Sequence, residues 1–363
     1  MLICVTGGAG YVGSHVVVQL LAAGHRVAIV DSMRNASPAV IDRIEAAAKQ
    51  SVLFYRVDLT DAGALDGVFA RHQFDCVIHC AALKSVRDSL LQPLEYYSND
   101  VVGAINLVRS MRDHNVHRII FSSSATVYGN PSGFGVVSEN SVMSPTTPYG
   151  RTKVIIESIL SDCGMDQGLS HVVAGLIDIG AAAADPRLSV VILRYFNPVG
   201  AHPSGLIGED PVGPANNLMP YICRVAVGQH QLVRIFGDDW DTPDGTPVRD
   251  YVHIEDVARA HACALDRGLR LPRGTVHVFN VGTGRGTSVK EVLSAVNVAV
   301  GRDLPFQIES RRPGDVGTLV ADVSKSERVL NWTPAKTVHD ACRDAVRWQL
   351  SNTGGYNQDS GGT

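Results

Sequence analysis

The stretch LICVTGGAGYVGSHVVVQLL (residues 2–21) joins a short apolar run to a longer, helix-like run through three regularly spaced glycines. Gly7, Gly10 and Gly13 permit a tight turn and let the backbone approach a pyrophosphate at the N-terminus of the following helix. Asp31 ends the next apolar run, roughly 20 residues past the glycines, where an acid meets the adenosine ribose and favours NAD over NADP. A glycine triplet alone is compatible with an ordinary turn, but this context favours a dinucleotide site. The same predicted site includes Tyr11, Val12 and Asn35.

Outward from that stretch, short β-branched runs alternate with longer amphipathic segments. The runs occupy residues 2–6, 26–30, 52–57, 76–79, 118–122 and 189–196. They are almost wholly apolar, which is expected of strands whose sheet is covered by helices on both faces. The alternation predicts an α/β protein with a doubly wound parallel sheet of the Rossmann type.

The alternation divides the chain into unequal parts. We predict a NAD-binding domain over 1–196, a smaller C-terminal α/β substrate domain over 197–353, and a flexible tail over 354–363. A Gly/Ala-rich stretch near 162–187 interrupts the pattern and is predicted to be an inserted surface segment. In the second domain, the sequence predicts a helix over 218–227.

Composition excludes several classes of function. The chain has 363 residues, of which 45% are hydrophobic, and its 32 Lys+Arg against 36 Asp+Glu leave a net charge of −4. This balance argues against a nucleic-acid-binding or membrane-surface protein, so a small molecule is the expected partner. The seven cysteines are widely spaced, with no metal-type pairing and no export signal before the first strand. We therefore expect a soluble cytoplasmic protein with no metal site.

A second motif carries acid–base chemistry. Tyr149 and Lys153 stand four residues apart at the start of a predicted helix, so they share one face of it. A nearby ammonium and a nicotinamide cation both favour tyrosinate, which would make the phenol a general base. Ser124, at the end of the strand run FSSSA, is placed to bridge the phenol and a substrate hydroxyl. A Tyr–Lys pair alone could equally be a surface pair, and the dinucleotide motif favours the catalytic interpretation.

Together these motifs resemble the UDP-glucose 4-epimerases of the extended short-chain dehydrogenase/reductase superfamily. The resemblance runs over nearly the whole chain. It rests on six ordered blocks: TGGAGYVGSH, PLEYYSND, FSSSATVYG, LRYFNPVGAHPSG, NNLMPY and VRDYVH.

The resemblance implies further site residues. For NAD these are Asp58, Leu59, Lys84, Asn99, Ser122, Tyr149, Lys153 and Tyr195. For the UDP-sugar they are Lys84, Ser124, Tyr149, Phe196, Asn197, Asn217, Leu218, Phe236, Arg249, Arg312, Asp315 and Leu319. Guanidinium forks suit a diphosphate because they bind its oxygens in a bidentate manner.

Structural alternatives stand beside some of these roles. Asp58 could cap a helix, Asn99 could be an ordinary solvated residue, and Tyr195 could pack in the core. Arg249 and Arg312 could instead form surface ion pairs with Asp250 and Asp315, respectively.

The implied function is reversible, NAD-dependent inversion at C4 of UDP-galactose and UDP-glucose by a homodimeric isomerase of galactose metabolism. A 4,6-dehydratase or decarboxylase on the same fold is an alternative. It is disfavoured because Ala125 and Thr126, rather than an acidic pair, follow Ser124. A noncatalytic NAD sensor is a second alternative. Leu319 replaces the Tyr or Cys found in the family, which leaves acceptance of N-acetylated sugars open.

Overall fold

The computed structural model describes residues 1–131, 135–164, 187–213, 217–268, 270, 274–312 and 314–356. Within them, the strands are β1 (Leu2–Thr6), β2 (Arg26–Asp31), β3 (Leu53–Arg56), β4 (Cys76–His79), β5 (Arg118–Ser124), β6 (Val136–Val137), β7 (Ser189–Tyr195), β8 (Asn197–Val199), β9 (Val233–Phe236), β10 (Val248–Arg249), β11 (Tyr251–His253), β12 (Val276–Val281), β13 (Thr287–Ser288), β14 (Phe306–Glu309) and β15 (Thr318–Ala321). The α-helices are α1 (Tyr11–Ala22), α2 (Ala39–Ala48), α3 (Ala62–Phe69), α4 (Val86–Leu91), α5 (Pro93–Tyr96), α6 (Gly103–Asp113), α7 (Pro148–Gly164), α8 (Leu218–Ala226), α9 (Ile254–Gly268), α10 (Val289–Val300) and α11 (Val338–Ser351).

Seven strands form the central sheet, in the order β12-β7-β5-β4-β1-β2-β3. Every neighbouring pair in it is parallel. The sheet confirms the predicted doubly wound α/β class. The chain moves outward from β1 to β3 and then crosses back to β4, so a crevice opens between β1 and β4 at the carboxyl ends of the strands.

Two apolar layers cover the sheet and explain why its strands lack alternation. One layer buries Val16, Leu20 and other side chains of α1 together with those of α2 and α9. The opposite layer buries side chains of α3, α6 and α7, among them Leu107 and Ile156. Each apolar strand residue therefore meets a helix on one face or the other.

The linear boundary predicted after residue 196 does not describe how the chain packs. Helix α9 packs in the same apolar layer as α1, and β12 pairs with β7 at the edge of the central sheet. Helix α9 and strand β12 thus return to the first unit after an excursion through β8–β11. The predicted helix over 218–227 is present as α8.

The remaining elements form a smaller unit with its own core. Helices α8, α10 and α11 enclose buried side chains such as Ile222, Val292 and Val346. A four-stranded sheet in the order β13-β10-β15-β6 adjoins it. Between the two units lies a small apolar cluster that contains Phe196 and Leu319.

The predicted tail and insertion are only partly described. Tyr356 is buried and hydrogen-bonded, so the expectation of a flexible tail is not met for Gly354–Tyr356. The rest of the tail, 357–363, and residues 165–186 of the predicted insertion lie outside the described residues. Within the described part of the chain, no helix has the length and apolar character needed to span a bilayer.

Candidate active site

An open cleft lies at the crevice between β1 and β4. Most residues predicted to bind the cofactor line it: Gly7, Gly10, Tyr11, Val12, Gly13, Asp31, Asn35, Asp58, Leu59, Lys84, Asn99, Tyr149, Lys153 and Tyr195. Of the predicted cofactor set, Ser122 is missing from this lining. The fold therefore brings together groups that are up to 188 residues apart in sequence, from Gly7 to Tyr195.

The glycine loop requires glycine for steric reasons. Gly7 has φ +70°, and a Cβ there would lie 2.5 Å from the Ala81 backbone nitrogen. A Cβ on Gly13 would lie 2.1 Å from the Gly7 carbonyl oxygen. These contacts let α1 begin directly beneath the loop, with its N-terminus at the cleft.

Asp31 fastens the loop to the end of β2. Its carboxylate accepts hydrogen bonds from the backbone amides of Ala9, at 3.0 Å, and Met33, at 2.9 Å. Burial raises the pKa of Asp31, while the two amides oppose that shift. The side chain is thus fixed on the wall of the cleft, at the predicted ribose-binding position.

Tyr149 lies on the first turn of α7 and is buried, with 8% of its surface exposed. Burial raises its pKa, and a hydrogen bond with Ser124 acts in the opposite direction. The negative charge of Asp100 raises the pKa further. The Lys153 ammonium lies 5.8 Å from the centre of the Tyr149 ring, so the expected lowering of the tyrosine pKa by the lysine stays a prediction.

Lys153 is fully buried one turn further along α7. Its Nζ donates to the Ser122 carbonyl at 3.0 Å and lies 5.8 Å from the centre of the Tyr149 ring. Burial lowers its pKa, and Asp100 is the first of the groups that oppose the shift. The Asp100 carboxylate accepts from the Leu83 amide at 2.9 Å and from the Thr152 hydroxyl at 3.1 Å.

Ser122 lies behind the cleft rather than on its surface. Its hydroxyl lies 2.9 Å from His261 Nε2 and 3.1 Å from the Cys80 sulfur. Because His261 Nδ1 contacts the Val257 carbonyl at 2.8 Å, Nδ1 carries the proton and Nε2 accepts from Ser122. Ser122 also bonds Tyr195, so it orients residues that do line the cleft.

The remaining cofactor residues have mixed contacts. Asp58 accepts from the amide and hydroxyl of Thr60 and so stabilises a turn, whereas the N-cap of α3 is Asp61. Asn99 donates to Asp100 at 2.8 Å. Both Asp58 and Asn99 nevertheless line the cleft.

Lys84 faces both halves of the predicted site. Its Nζ lies 2.8 Å from the Glu209 carboxylate and 5.9 Å from the centre of the Tyr11 ring. A second, adjoining cavity is lined by Lys84 together with Glu209 and Asn217. The lysine therefore lies at the junction of the two cavities.

Two arginines of the smaller unit carry cationic charge that is not neutralised by a close carboxylate. Arg249 donates to the carbonyls of Val248 and Gly317, and Arg312 lies 3.7 Å over the Phe236 ring. Burial lowers the pKa of both guanidinium groups, and Asp315 opposes the shift in each. Within the described residues neither arginine forms an ion pair, which argues against the surface ion-pair alternative.

Asp250 has a structural task instead. Its buried carboxylate accepts from the backbone amides of Thr283, Gly284 and Ala321. These bonds fix the end of β12 against β15. They explain why Asp250 does not pair with Arg249.

Of the predicted substrate residues, Lys84, Tyr149 and Asn217 line the two cavities. The others line neither cavity: Ser124, Phe196, Asn197, Leu218, Phe236, Arg249, Arg312, Asp315 and Leu319. Phe196 and Leu319 share the small apolar cluster, and Leu319 stands opposite Arg249 in the β10–β15 pair. The Asn197 amide donates to the Asp250 carbonyl at 3.0 Å. Asn217 occupies the N-cap of α8, immediately before Leu218.

The sequence analysis missed several groups at the site. Asp100, Glu209, Asp210 and Tyr356 touch or line the cavities without having been predicted. Asp100 lies on a π-helical turn, Tyr97–Val102, and such turns are frequent at functional sites. Asp100 ends the quoted block PLEYYSND, whereas no local motif contains Glu209, Asp210 or Tyr356, whose partners are distant in sequence.

One cluster has side chains of metal-ligating types, namely His253, Glu255 and Asp344. The Glu255 amide donates to His253 Nδ1 at 3.1 Å, so Nε2 carries the proton and donates to Asp344 at 3.2 Å. The Lys336 ammonium contacts both carboxylates. Lys336 thus supplies the positive charge next to the two carboxylates. Both nitrogens of the His253 ring are engaged in hydrogen bonds, so the ring has no free lone pair for a metal ion.

Comparisons with known proteins agree with this arrangement. The model of the NAD dependent epimerase/dehydratase family matches residues 3–282. The chain is 44% identical to a UDP-glucose 4-epimerase of Dictyostelium discoideum, over 98% of this chain and 97% of the relative. It is 43% identical to a UDP-glucose 4-epimerase of Bacillus subtilis, over 98% and 99%. The crystal structure of a Bifidobacterium longum UDP-glucose 4-epimerase with NAD+ and UDP is 42% identical, has a TM-score of 0.88, and matches 98% of this chain and 100% of that one.

Proposed function

The chain belongs to the NAD-dependent epimerase/dehydratase family, and we propose that it interconverts UDP-galactose and UDP-glucose by inverting the configuration at C4. The observation that carries the proposal is the placement of Tyr149 and Lys153 in the same cleft as the glycine loop. The proton-transfer group and the dinucleotide site therefore face one reaction space. Full-length similarity to UDP-glucose 4-epimerases supports the substrate assignment.

The residues present fit NAD. A Cβ on Gly13 would collide with the Gly7 carbonyl oxygen, so only glycine lets α1 begin this close to the loop. The backbone of that loop can then approach a pyrophosphate closely. Asp31 is fixed on the wall of the cleft, where its carboxylate would accept from a ribose hydroxyl. Arg34 also lines the cleft, but its guanidinium pairs with Glu95 at 2.6 Å. When bound, NAD accepts a hydride from C4 and returns it.

Tyr149 and Ser124 handle the proton of the 4-hydroxyl group. The phenol oxygen takes this proton, directly or through the Ser124 hydroxyl that bonds it. Burial opposes ionisation of Tyr149, so nearby positive charge is required to form the tyrosinate. Lys153 supplies part of this charge from the same helix face, and its Nζ is held by the Ser122 carbonyl.

Arg249 and Arg312 anchor the diphosphate, in this proposal. Their guanidinium groups have no close carboxylate among the described residues, and the charge of a diphosphate would stabilise them. Anchoring at the nucleotide leaves the hexose free to rotate after oxidation at C4. The 4-keto sugar then presents its other face, and Tyr149 returns the proton.

The dehydratase and decarboxylase alternatives are not favoured. The short 3₁₀ turn Ala125–Tyr128 follows Ser124, and Thr126 donates its hydroxyl to the Ser124 oxygen. No acid occupies the two positions after Ser124. The retained Ser124, Tyr149 and Lys153 likewise disfavour a noncatalytic sensor.

Two measurements test the proposal: the identity of the product formed from UDP-galactose, and the activity of the Tyr149→Phe variant. The parent converts UDP-galactose to UDP-glucose, which chromatography of the nucleotide sugars measures. Tyr149→Phe keeps the ring but lowers turnover by about 10² or more, because it removes the group that moves the proton. A deoxy-keto or decarboxylated product, or a Tyr149→Phe variant as active as the parent, would contradict the assignment.

We further propose that the enzyme is a homodimer and is cytoplasmic. Apolar side chains of α4 and α5 are exposed, with Leu91 at 69% and Leu94 at 81%, and a second copy would cover them. Free thiols support a reducing compartment: Cys4, Cys76, Cys80, Cys223, Cys263 and Cys342. Light scattering tests the dimer: Leu94→Asp is expected to yield monomer, and a parent that is itself monomeric contradicts it.

A further inference from the structure

A tyrosine near the C-terminal end of the described chain lines the cofactor cleft. Tyr356 is 6% exposed and lies there with Gly208 and Asp210. Resting on the proposed function, we propose that Tyr356 is a positioning residue that fixes the segment 208–210, so that Glu209 holds Lys84 and Asn217 in a fixed relation. Tyr356 would in this way connect the C-terminus to nucleotide-sugar binding.

Tyr356 bonds both polar groups of one backbone residue. Its hydroxyl donates to the Gly208 carbonyl at 3.0 Å and accepts from the Gly208 amide at 2.9 Å. The Tyr356 amide in turn donates to the Asp210 carboxylate at 2.9 Å. The residues on both sides of Glu209 are therefore held by the same tyrosine.

Glycine is required next to this tyrosine. Gly355 has φ +72°, and a Cβ there would lie 2.2 Å from an Asp210 carboxylate oxygen. Gly355 thus lets the backbone pass close to Asp210, and the Tyr356 hydroxyl bonds the Gly208 backbone. These contacts keep Tyr356 buried although the surrounding tail is polar.

Helix α2 supports the anchor from the other side. The Arg43 guanidinium lies 5.1 Å over the Tyr356 ring and donates to the Leu206 carbonyl at 3.3 Å. Arg43 also donates to the Asn352 side chain, whose amide group donates to the Gly205 carbonyl at 3.2 Å. The segment 205–210 is consequently held along its length by α2 and by the residues that follow α11.

Glu209 is the group that this scaffold presents to the site. Its carboxylate lies 2.8 Å from Lys84 Nζ and accepts from Asn217 Nδ2 at 3.2 Å. The Glu209 side chain is only 10% exposed, so water screens the pair less than it would on the surface. Glu209 therefore joins a residue of the cofactor cleft to the N-cap residue of α8.

The arrangement has a measurable consequence for binding. Asn217 and Lys84 belong to the predicted UDP-sugar set, so loss of their common acceptor would weaken UDP binding. Removal of the Tyr356 hydroxyl frees the Gly208 backbone and lets Glu209 shift. Because Tyr356 acts on UDP binding through Glu209, the losses of UDP affinity in the two single variants would not multiply in the double variant.

The experiment measures the dissociation constant of UDP by calorimetry on NAD-loaded, full-length protein. The variants are Tyr356→Phe, Glu209→Gln and the combination of both. Matched controls are Tyr55→Phe, which loses a hydroxyl bonded to His72, and Asp66→Asn, which loses a carboxylate bonded to His114. Neither control residue lines the two cavities.

Each single variant is expected to weaken UDP binding about three- to tenfold, from the loss of one or two hydrogen bonds. The double variant is expected to be no weaker than the weaker-binding single variant, and KM for UDP-galactose is expected to rise while kcat stays close to that of the parent. UDP binding unchanged in either single variant, or a double variant whose loss is the product of the two, would overturn the proposal. If Tyr356→Phe fails to fold, Asp210→Asn, which weakens the bond from the Tyr356 amide, replaces it in the set and is judged by the same criterion. The calorimetric measurement of UDP binding does not require turnover. A parent protein that binds UDP but does not epimerise UDP-galactose would refute the proposed function. The affinities of the variants for UDP would then still decide the role of Tyr356.

Discussion

Replacing Ser124 by alanine is expected to shift the acid limb of the kcat/KM profile to higher pH. Tyr149 must lose its proton to act as the base, so activity rises as pH rises through its pKa. Burial raises this pKa, and the hydrogen bond from Ser124 lowers it. Without the serine hydroxyl, the pKa rises further, and a higher pH is needed for the same fraction of tyrosinate.

The size of the shift follows from the energy of one hydrogen bond. A typical intramolecular hydrogen bond contributes about 0.5–1.5 kcal/mol, and one pKa unit corresponds to about 1.36 kcal/mol. The acid limb should therefore move upward by about 0.4 to 1 pH unit. The buried position of Ser124, 7% exposed, limits replacement of the lost bond by bulk water.

The assay follows conversion of UDP-galactose at subsaturating concentration across pH. Ser124→Thr keeps a hydroxyl and is expected to retain the parent profile. Thr126→Val removes the hydroxyl that donates to Ser124 at 3.1 Å but leaves Tyr149 untouched, and its acid limb should not move. An acid limb that stays in place for Ser124→Ala, or that moves equally for Thr126→Val, would refute the reasoning.

Three further predictions concern the cofactor loop, the diphosphate and the sugar. Gly13→Ala places a Cβ 2.1 Å from the Gly7 carbonyl oxygen, so the purified protein should retain much less NAD; an unchanged NAD content would contradict the steric argument. Arg312→Lys loses the planar group over Phe236 and should weaken UDP binding by about tenfold in calorimetry, whereas equal affinity would remove Arg312 from the diphosphate site. Leu319→Tyr should lower the activity ratio of UDP-N-acetylglucosamine to UDP-galactose by about tenfold, and equal ratios would show that this position does not set substrate breadth.

Local signals in the sequence identified the glycine loop and the end of β2, which line the cleft. The glycine loop, Asp31 and the strand runs are encoded within short segments, because steric demands and buried strands leave their pattern in adjacent residues. The Tyr149–Lys153 pair is similarly local, since one helix face carries both. Its electrostatics were not predictable, because burial and Asp100 come from the packed structure.

Non-local pairings account for what the sequence analysis missed. Strand β12 pairs with β7 in the central sheet, although about one-fifth of the chain separates the two strands. The sequence of residues 276–281 does not indicate that β7 is the neighbouring strand. Tyr356 illustrates the same limit. A polar, glycine-rich tail is typical of disorder, yet the contacts of Tyr356 with Arg43 and Gly208 bury this residue.

If one retained NAD serves both halves of the epimerisation, sugar is converted with no net change in the redox state of the cofactor. Purified protein is incubated with UDP-galactose and no added NAD, while UDP-glucose is followed by chromatography and NADH by absorbance. UDP-glucose is expected to form without net NADH. NADH formed in proportion to sugar consumed, or no conversion even after NAD is added, would contradict it.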